Sequence, residues 1–458
     1  MTTGEENVTR EDIPLKQGKK SSSWYNYCNE DCLSGSKFLN VAFGTLTIVI
    51  TIALLVQIYY GDYQVILGCP SWKCGHRQSR VFKHRHISIE KGGGNAVDAA
   101  IASAFCLAVA TPHVTSLDAE GQLLIYNHRT RLLPTVIDFS GPTVVSDNIP
   151  RLVLGLAYTH QHYGRLAWKD LVQPAANLAR QGYLISKVLV QAVTKAKAQN
   201  LYGHLEAGQM ITHKNLSLTL EGIANIPEPE LYRFIQSTNQ PILSQALKST
   251  FNNNNIYLPN TPAIGRIVMT NLREIEGFNY TIADTAKAEY YYELARITQA
   301  VYQEQNVSEL FHQGTLSNVG VMDLDDNYVS LVTKKDKPCS RMPIIITDNN
   351  VICGRRMVFG ASDLATATQL VTSLLVARKN TTDGVEAPRF YIIDNGTLAI
   401  EDSHLPAFDD DVLPYFQNLT RKPVRAPEPY PSSNIVEKIK DDLSSHSDSR
   451  GGGIASRF

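Results

Sequence analysis

A layered α+β domain of the αββα kind, preceded by one membrane-spanning helix, is the architecture this chain predicts. Three observations lead to it. Helical patterns come first, strand-like runs crowd the stretch after His312, and another helical pattern follows them. One early helix is apolar on nearly every face and therefore belongs inside a large core. An uncharged stretch, residues 38–60, is long enough to cross a bilayer. With 458 residues and 43% hydrophobic content, the chain can bury the core of one large or two medium domains. A net charge of −1 and no long basic run leave no surface for tracking phosphates, so nucleic acid is excluded as a partner.

The elements follow in order. Residues 1–37 are polar and read as a disordered cytoplasmic tail. Residues 38–60 would rise about 34 Å as a helix, against about 30 Å of bilayer core. The polar leader and the length of the apolar run favour a retained signal anchor over a cleaved signal peptide. Basic residues flank the span on both sides, Lys16, Lys19, Lys20 and Lys37 before it and Lys73, Arg77, Arg80, Lys83 and Arg85 after it, so charge gives no orientation. Glycosylation sequons do: Asn7 precedes the span, while Asn215, Asn279, Asn306, Asn380, Asn395 and Asn418 follow it. They place the C-terminal part outside the cell or in a lumen, as a single-pass type II protein of the plasma membrane contacting lipid through 38–60. Cys69 with Cys74, and Cys339 with Cys353, are spaced for short disulfides. Cys28 and Cys32 would lie in the cytosol near the membrane, as palmitoylation sites or free thiols. Cys106 reads as core.

Residues 61–89 form a basic stem. Folded patterning starts at "EKGGGNAVDAAIASAFCLAVATPH", where Asn95 and Asp98 stand at capping-box spacing ahead of the apolar helix. "LLIYNHRTRLLPTVIDF" predicts two strands around a turn, and "LVLGLAYTHQHYGRLAWKDLVQPAANLARQGY" and "AEYYYELARITQAVYQEQ" predict helices. After His312 come strands at "NVGVMDL", "NYVSLVT", "MPIIIT" and "RMVFG", a helix at "TATQLVTSLLVARK", and strands at "RFYIID" and "TLAIE". Residues 431–458, ending in "SSHSDSRGGGIASRF", read as a polar, Gly/Ser-rich tail with no reason to fold.

Few motifs carry chemistry by themselves. "GGGNA" lacks the preceding strand and the lysine of a phosphate cradle. The pairs His84/His86 and His160/His162 are two residues apart, which points them to different helix faces and makes no metal site. No G-x-S-x-G elbow is present. Neither a metal nor a cofactor is expected.

"GGNAVDAAIASAFCLAVATPH" resembles the buried first helix of the gamma-glutamyltransferase (glutathione hydrolase) family almost residue for residue. "HYGRLAWKDLVQPAANLARQGY", "EGFN" and "EAPRFY" are similar to later family signatures, in the same order, so the resemblance runs from about Gly92 to Phe408. Anchoring and divergence put the chain nearest the glutathione hydrolase 7-like branch. The resemblance implies an N-terminal-nucleophile hydrolase sandwich, with 90–313 as the large-subunit-like part and 314–430 as the small-subunit-like part. It also implies self-cleavage at a Thr that then takes a gamma-glutamyl group from glutathione. That chemistry needs a Thr freed by the cut, oxyanion donors, a cation for the substrate carboxylate, and acceptors for its ammonium.

Every one of these parts departs from the family pattern. Laid without a gap on Asp323, Asp325, Asn327, Val329 and Ser330, the family's Thr-Thr-His falls on Leu316, Ser317 and Asn318. Thr315 lies one residue early, about 3.3 Å away and on the opposite strand face, and only a bulge would turn it inward. The carboxylate-binding Arg is replaced by Ser140, a loss of about 2–5 kcal/mol in substrate binding. Ser340 matches the first residue of the family's Ser-Ser segment. Arg341 replaces the second, either as a substitute cation or as a solvated surface arginine. Asp363 and Leu364 stand where the family has the Gly-Gly of its oxyanion hole, so a carboxylate opposes the charge the hole must hold. The segment bearing the ammonium acceptors is reduced to "TKKDKP", and the Gly-rich loop has become "VTSLDAEGQ" with Asp118 and Glu120.

The expectation is therefore a membrane-anchored ectodomain of this family, catalytically degenerate and uncleaved, acting by binding or assembly with a protein partner or a second copy. The alternative is an active cell-surface glutathione hydrolase using Thr315 on glutathione or another gamma-glutamyl compound. A third reading keeps the chemistry but shifts it toward an acidic substrate through Arg341, Lys334 and Lys335.

Overall fold

The computed structural model describes residues 45–49, 51–52, 67–70, 93–141, 149–197, 203–237, 240–260, 264–310, 316–335, 341–393, 396–420, 423–451 and 453–456. The chain divides into two units, residues 1–62 and 63–458. In the first, 45–49 and 51–52 are helical and exposed. Among the described residues no helix is long and apolar enough to cross a membrane; the span expected at 38–60 lies largely outside them.

The second unit opens with helix α1, Ala96–Ala110, started by the capping box the sequence predicts. Asn95 accepts from the Val97 and Asp98 amides, and Asp98 accepts from the Asn95 amide at 3.0 Å. Strands β1 (Glu120–Asn127) and β2 (Thr135–Asp138) follow, then helices α2 (Arg151–Tyr163) and α3 (Trp168–Gln181). Next come strands β3 (Ile242–Gln245), β4 (Leu247–Phe251) and β5 (Asn254–Leu258), and helices α4 (Ile264–Glu276) and α5 (Ala288–Glu304). Strands β6 (Ser317–Met322), β7 (Asn327–Lys334), β8 (Met342–Asp348) and β9 (Arg355–Ala361) lead to helix α6 (Leu364–Leu375). The hairpin β10 (Ile435–Ile439) and β11 (Asp442–His446) follows.

The strands form two sheets, β3-β2-β1-β7-β6 and β11-β10-β9-β8-β5-β4. Period-two alternation sorts their side chains into layers. Leu123, Ile137, Val321 and Val329 face α1, α2 and α3, and Ile344, Ile346, Met357 and Phe359 face α4, α5 and α6. Their neighbours Leu124, Val136, Met322, Tyr328, Ile345 and Val358 meet between the sheets. This is the expected αββα sandwich. Phe105 of α1 meets Trp168 of α3 edge-on at 5.5 Å. Phe139 wedges between Gly121 and Gly155, where any Cβ would come within 2.3 Å of its ring, so glycine is required at both.

The C-terminal expectation is corrected. Far from being an unfolded tail, residues 435–446 complete the second sheet, and Asp448 and Arg450 are buried. Polar composition misleads there because the segment folds through charge pairs. Arg450 forks onto Glu401 at 2.7 and 2.6 Å and reaches Asp448 at 3.2 Å, and Asp448 binds Arg389 at 2.9 Å. Part of the presumed stem is also structured: Leu67–Pro70 pairs antiparallel with Gly453–Ser456. The Cys339–Cys353 expectation is revised as well. Cys353 is a free, exposed thiol in the β8–β9 turn, at the far end of the hairpin from Met342; Cys339 lies outside the described residues.

Candidate functional site

Leu316, the position the resemblance assigns to the nucleophile, lies directly before β6. Pairing of β6 with β7 runs unbroken from Ser317↔Thr333 to Met322↔Tyr328, so the ladder holds no bulge in that stretch to shift the register. Leu316, an apolar side chain at the position expected for the family's threonine, is 2% exposed. Thr315 lies outside the described residues. Asn318, at the histidine position, binds the second sheet: its Nδ2 donates to the Asn434 carbonyl at 3.0 Å, and its Oδ1 accepts from the Asn434 amide at 3.0 Å. The residues that set the alignment act structurally. Asp323 accepts from the Ala96 amide at 2.9 Å, tying the turn to the start of α1, and from the Asn327 amide at 2.9 Å. Asp326 takes φ 57° in that turn, a left-handed conformation that favours glycine.

The residues expected on the carboxylate-binding side are engaged by the chain's own groups. Ser140 donates from its amide at 2.9 Å and from its hydroxyl to Asp138, which also accepts from Gln122 at 2.7 Å. Arg341 is neither solvated nor free: it is 4% exposed and paired with Glu120 at 2.6 Å. Glu120 also binds Arg151 at 2.6 Å, and Arg151 reaches Asp118 at 3.3 Å. Burial in a low dielectric requires such pairing, so Arg341 is committed to Glu120. Ser340 lies outside the described residues.

Asp363 and Leu364 have become the start of α6. Asp363 caps the helix, accepting from the Thr366 amide at 2.8 Å and hydroxyl at 2.7 Å, and Leu364 is buried. One of the free amides of the first turn, that of Thr366, is thus taken by this carboxylate.

A cavity of about 430 Å³, including its part open to solvent, lies beside these residues, lined by Leu316, Ser317, Asn318, His113 and Asn434 among others. The Nδ1 of His113 is buried without a hydrogen-bond partner among the described residues. Burial, aided by the charge of Lys335, pushes its pKa down to about 4, so the imidazole is neutral at physiological pH. An unfolded histidine titrates near 6.5, so between about pH 6.5 and 4 the unfolded chain binds a proton that the folded chain refuses. Stability is then full above that window and falls as pH drops through it. Burial lowers His128 and His213 too, in the same direction. Denaturant unfolding is expected to show about 2 kcal/mol lost through His113 between pH 7.5 and 5. A His113→Gln variant should show a smaller loss.

Other candidates resolve into structural roles. His160 bridges Tyr232 at 2.7 Å and the Leu166 carbonyl at 2.6 Å, and His162 binds the Tyr158 carbonyl at 2.8 Å. Asn215, Asn279, Asn306, Asn380 and Asn418 are all exposed, and Asn395 lies outside the described residues. Sequence reasoning missed His113, although its place after the first helix in "ATPH" was visible, and missed the Glu120–Arg341 pair, which no local pattern signals.

A gamma-glutamyltranspeptidase family model matches residues 87–144 and 144–234. Glutathione hydrolase 7 of Bos taurus is 30% identical over 168 residues, covering 33% of this chain and 25% of that protein. Glutathione hydrolase 7 of Rattus norvegicus is 22% identical over 394 residues, covering 71% of this chain and 56% of that protein. The chain thus spans a quarter to just over half the length of these relatives. A cephalosporin acylase from Bacillus halodurans superposes with a TM-score of 0.67 over 86% of this chain and 96% of that one, at 14% identity, which is a likeness of fold.

Proposed function

We propose, because the chain belongs to the gamma-glutamyltransferase (glutathione hydrolase) family, nearest its glutathione hydrolase 7 branch, that its folded domain has kept the scaffold and lost the threonine chemistry. It stays uncut and acts by binding or assembly. The observation that carries this reading is Leu316, buried at the position expected for the nucleophile, directly before an unbroken strand register that starts at Ser317. Three further changes support it: the Asn318–Asn434 clasp, the Glu120–Arg341 pair on the carboxylate side, and the capping role of Asp363. The cavity beside Leu316 gives the binding role a place, for a gamma-glutamyl compound held without turnover. In this reading residues 38–60 anchor a single-pass type II glycoprotein at the plasma membrane, with glycans on Asn215, Asn279, Asn306, Asn380, Asn395 and Asn418. The exposure of the described sequon asparagines supports that modification.

The rival is a glutathione hydrolase using Thr315, favoured by Thr315 directly preceding in sequence Leu316, a residue of the cavity wall. Glutamate release from glutathione, assayed at high protein concentration, separates the two. The wild type should release none above background, with Thr315→Ala indistinguishable from it. Release that Thr315→Ala abolishes would establish the rival instead.

A further inference from the structure

A second cavity, of about 410 Å³ including its part open to solvent, lies between α5, α6 and the loop after α6, and shares no lining residue with the one at Leu316. Its wall is mixed. Leu294, Leu370 and Pro388 supply apolar surface, and Tyr290, Ser373 and Lys379 supply polar groups.

Those polar groups are left unused by the fold. Tyr290 is 5% exposed, and its hydroxyl is buried with no hydrogen bond of ordinary geometry among the described residues. It lies beside Thr372, whose own hydroxyl donates to the Thr368 and Gln369 carbonyls. The Ser373 hydroxyl is likewise buried and unpartnered. Lys379 is partly buried, and burial lowers its pKa against the attraction of Asp383, yet it makes no salt bridge among the described residues. Arg389, the other cation on the wall, is occupied by Asp448 and by the Pro431 and Val385 carbonyls. A buried hydroxyl left unpaired is destabilising, so two of them beside an unpaired ammonium in one cavity are unfavourable unless an acceptor enters.

We propose that this cavity binds a small monocarboxylate with an apolar body, its head taking hydrogen bonds from Tyr290, Ser373 and Lys379 and its tail lying against Leu294, Leu370 and Pro388. Each unsatisfied group can donate, which selects an anionic acceptor, and the apolar wall selects a hydrocarbon tail over a bare inorganic anion.

Hexanoate is the probe, titrated calorimetrically into the full-length protein, with hexan-1-ol, hexylammonium and inorganic phosphate as comparisons. Saturable hexanoate binding is expected, weakened at least tenfold in Lys379→Met and also weakened in Ser373→Ala, while the other three compounds bind at least tenfold more weakly. Tyr290→Phe, which removes only the hydroxyl, should behave like Ser373→Ala. Ligand-observed NMR on the wild type reads binding even if a variant folds poorly. The proposal is overturned by the absence of saturable binding, by hexylammonium or phosphate binding as tightly as hexanoate, or by unchanged affinity in a folded Lys379→Met. None of these outcomes depends on whether glutathione is turned over.

Discussion

Replacing Arg450 by leucine is expected to destabilise the folded domain by about 3–5 kcal/mol, the cost of stranding a buried carboxylate when its partner is removed. The magnitude follows from where the charges sit. Arg450, Asp448, Arg389 and Glu401 each have side chains 0–2% exposed, and they alternate in sign so that the cluster is neutral. Arg450 uses its fork on Glu401, and its remaining donors go to Asp448 and to the Val385 and Ala387 carbonyls. Tyr391 and the Arg389 amide complete the shell around Glu401. Removing one cation leaves Glu401 with only neutral donors, in a medium too poor to solvate it. Urea unfolding followed by circular dichroism measures the loss. A conservative Ser449→Ala change nearby, on an exposed hydroxyl bound to Glu386, should lower the midpoint far less.

A loss of similar size is expected for Glu120→Ala, about 3–5 kcal/mol, because it leaves Arg341 buried and unpaired. Arg341→Ser, which restores the family's residue, should cost less, since Glu120 keeps Arg151 at 2.6 Å. The double variant should cost clearly less than the sum of the two single ones, because each single change already breaks the shared pair. Additive losses in this cycle would mean that Glu120 and Arg341 contribute independently, and that the carboxylate side of the site is not closed by their pairing.

Much of this fold is written locally. The capping box at Asn95 and Asp98, the apolar faces of α1, and the alternation in "NVGVMDL" and "NYVSLV" each specify their element within a few residues, and each element formed as expected. The β4–β5 hairpin was also signalled, by the asparagines in "FNNNNIYL": Asn252 and Asn253 take φ 44° and 60°. What no local pattern could show is partnership across the chain. Arg341 meets a glutamate 221 residues away, and Arg450 meets one 49 residues away. A solvated-arginine reading and an unfolded-tail reading were therefore the natural readings of composition, and both fail for one reason: a charge is buried wherever a distant partner neutralises it. The expected site positions can be laid on the chain because strand register is periodic. The uses to which Asn318 and Asp363 are put, a clasp to Asn434 and a helix cap, became visible only once the second sheet and α6 were in place.

In the proposed reading the chain keeps the scaffold without the self-cleavage that would expose a threonine. The mass of the mature, denatured and deglycosylated protein tests it most directly. A single polypeptide continuous through Thr315 and Leu316 is the predicted result. Two fragments, the smaller beginning at Thr315, would contradict it.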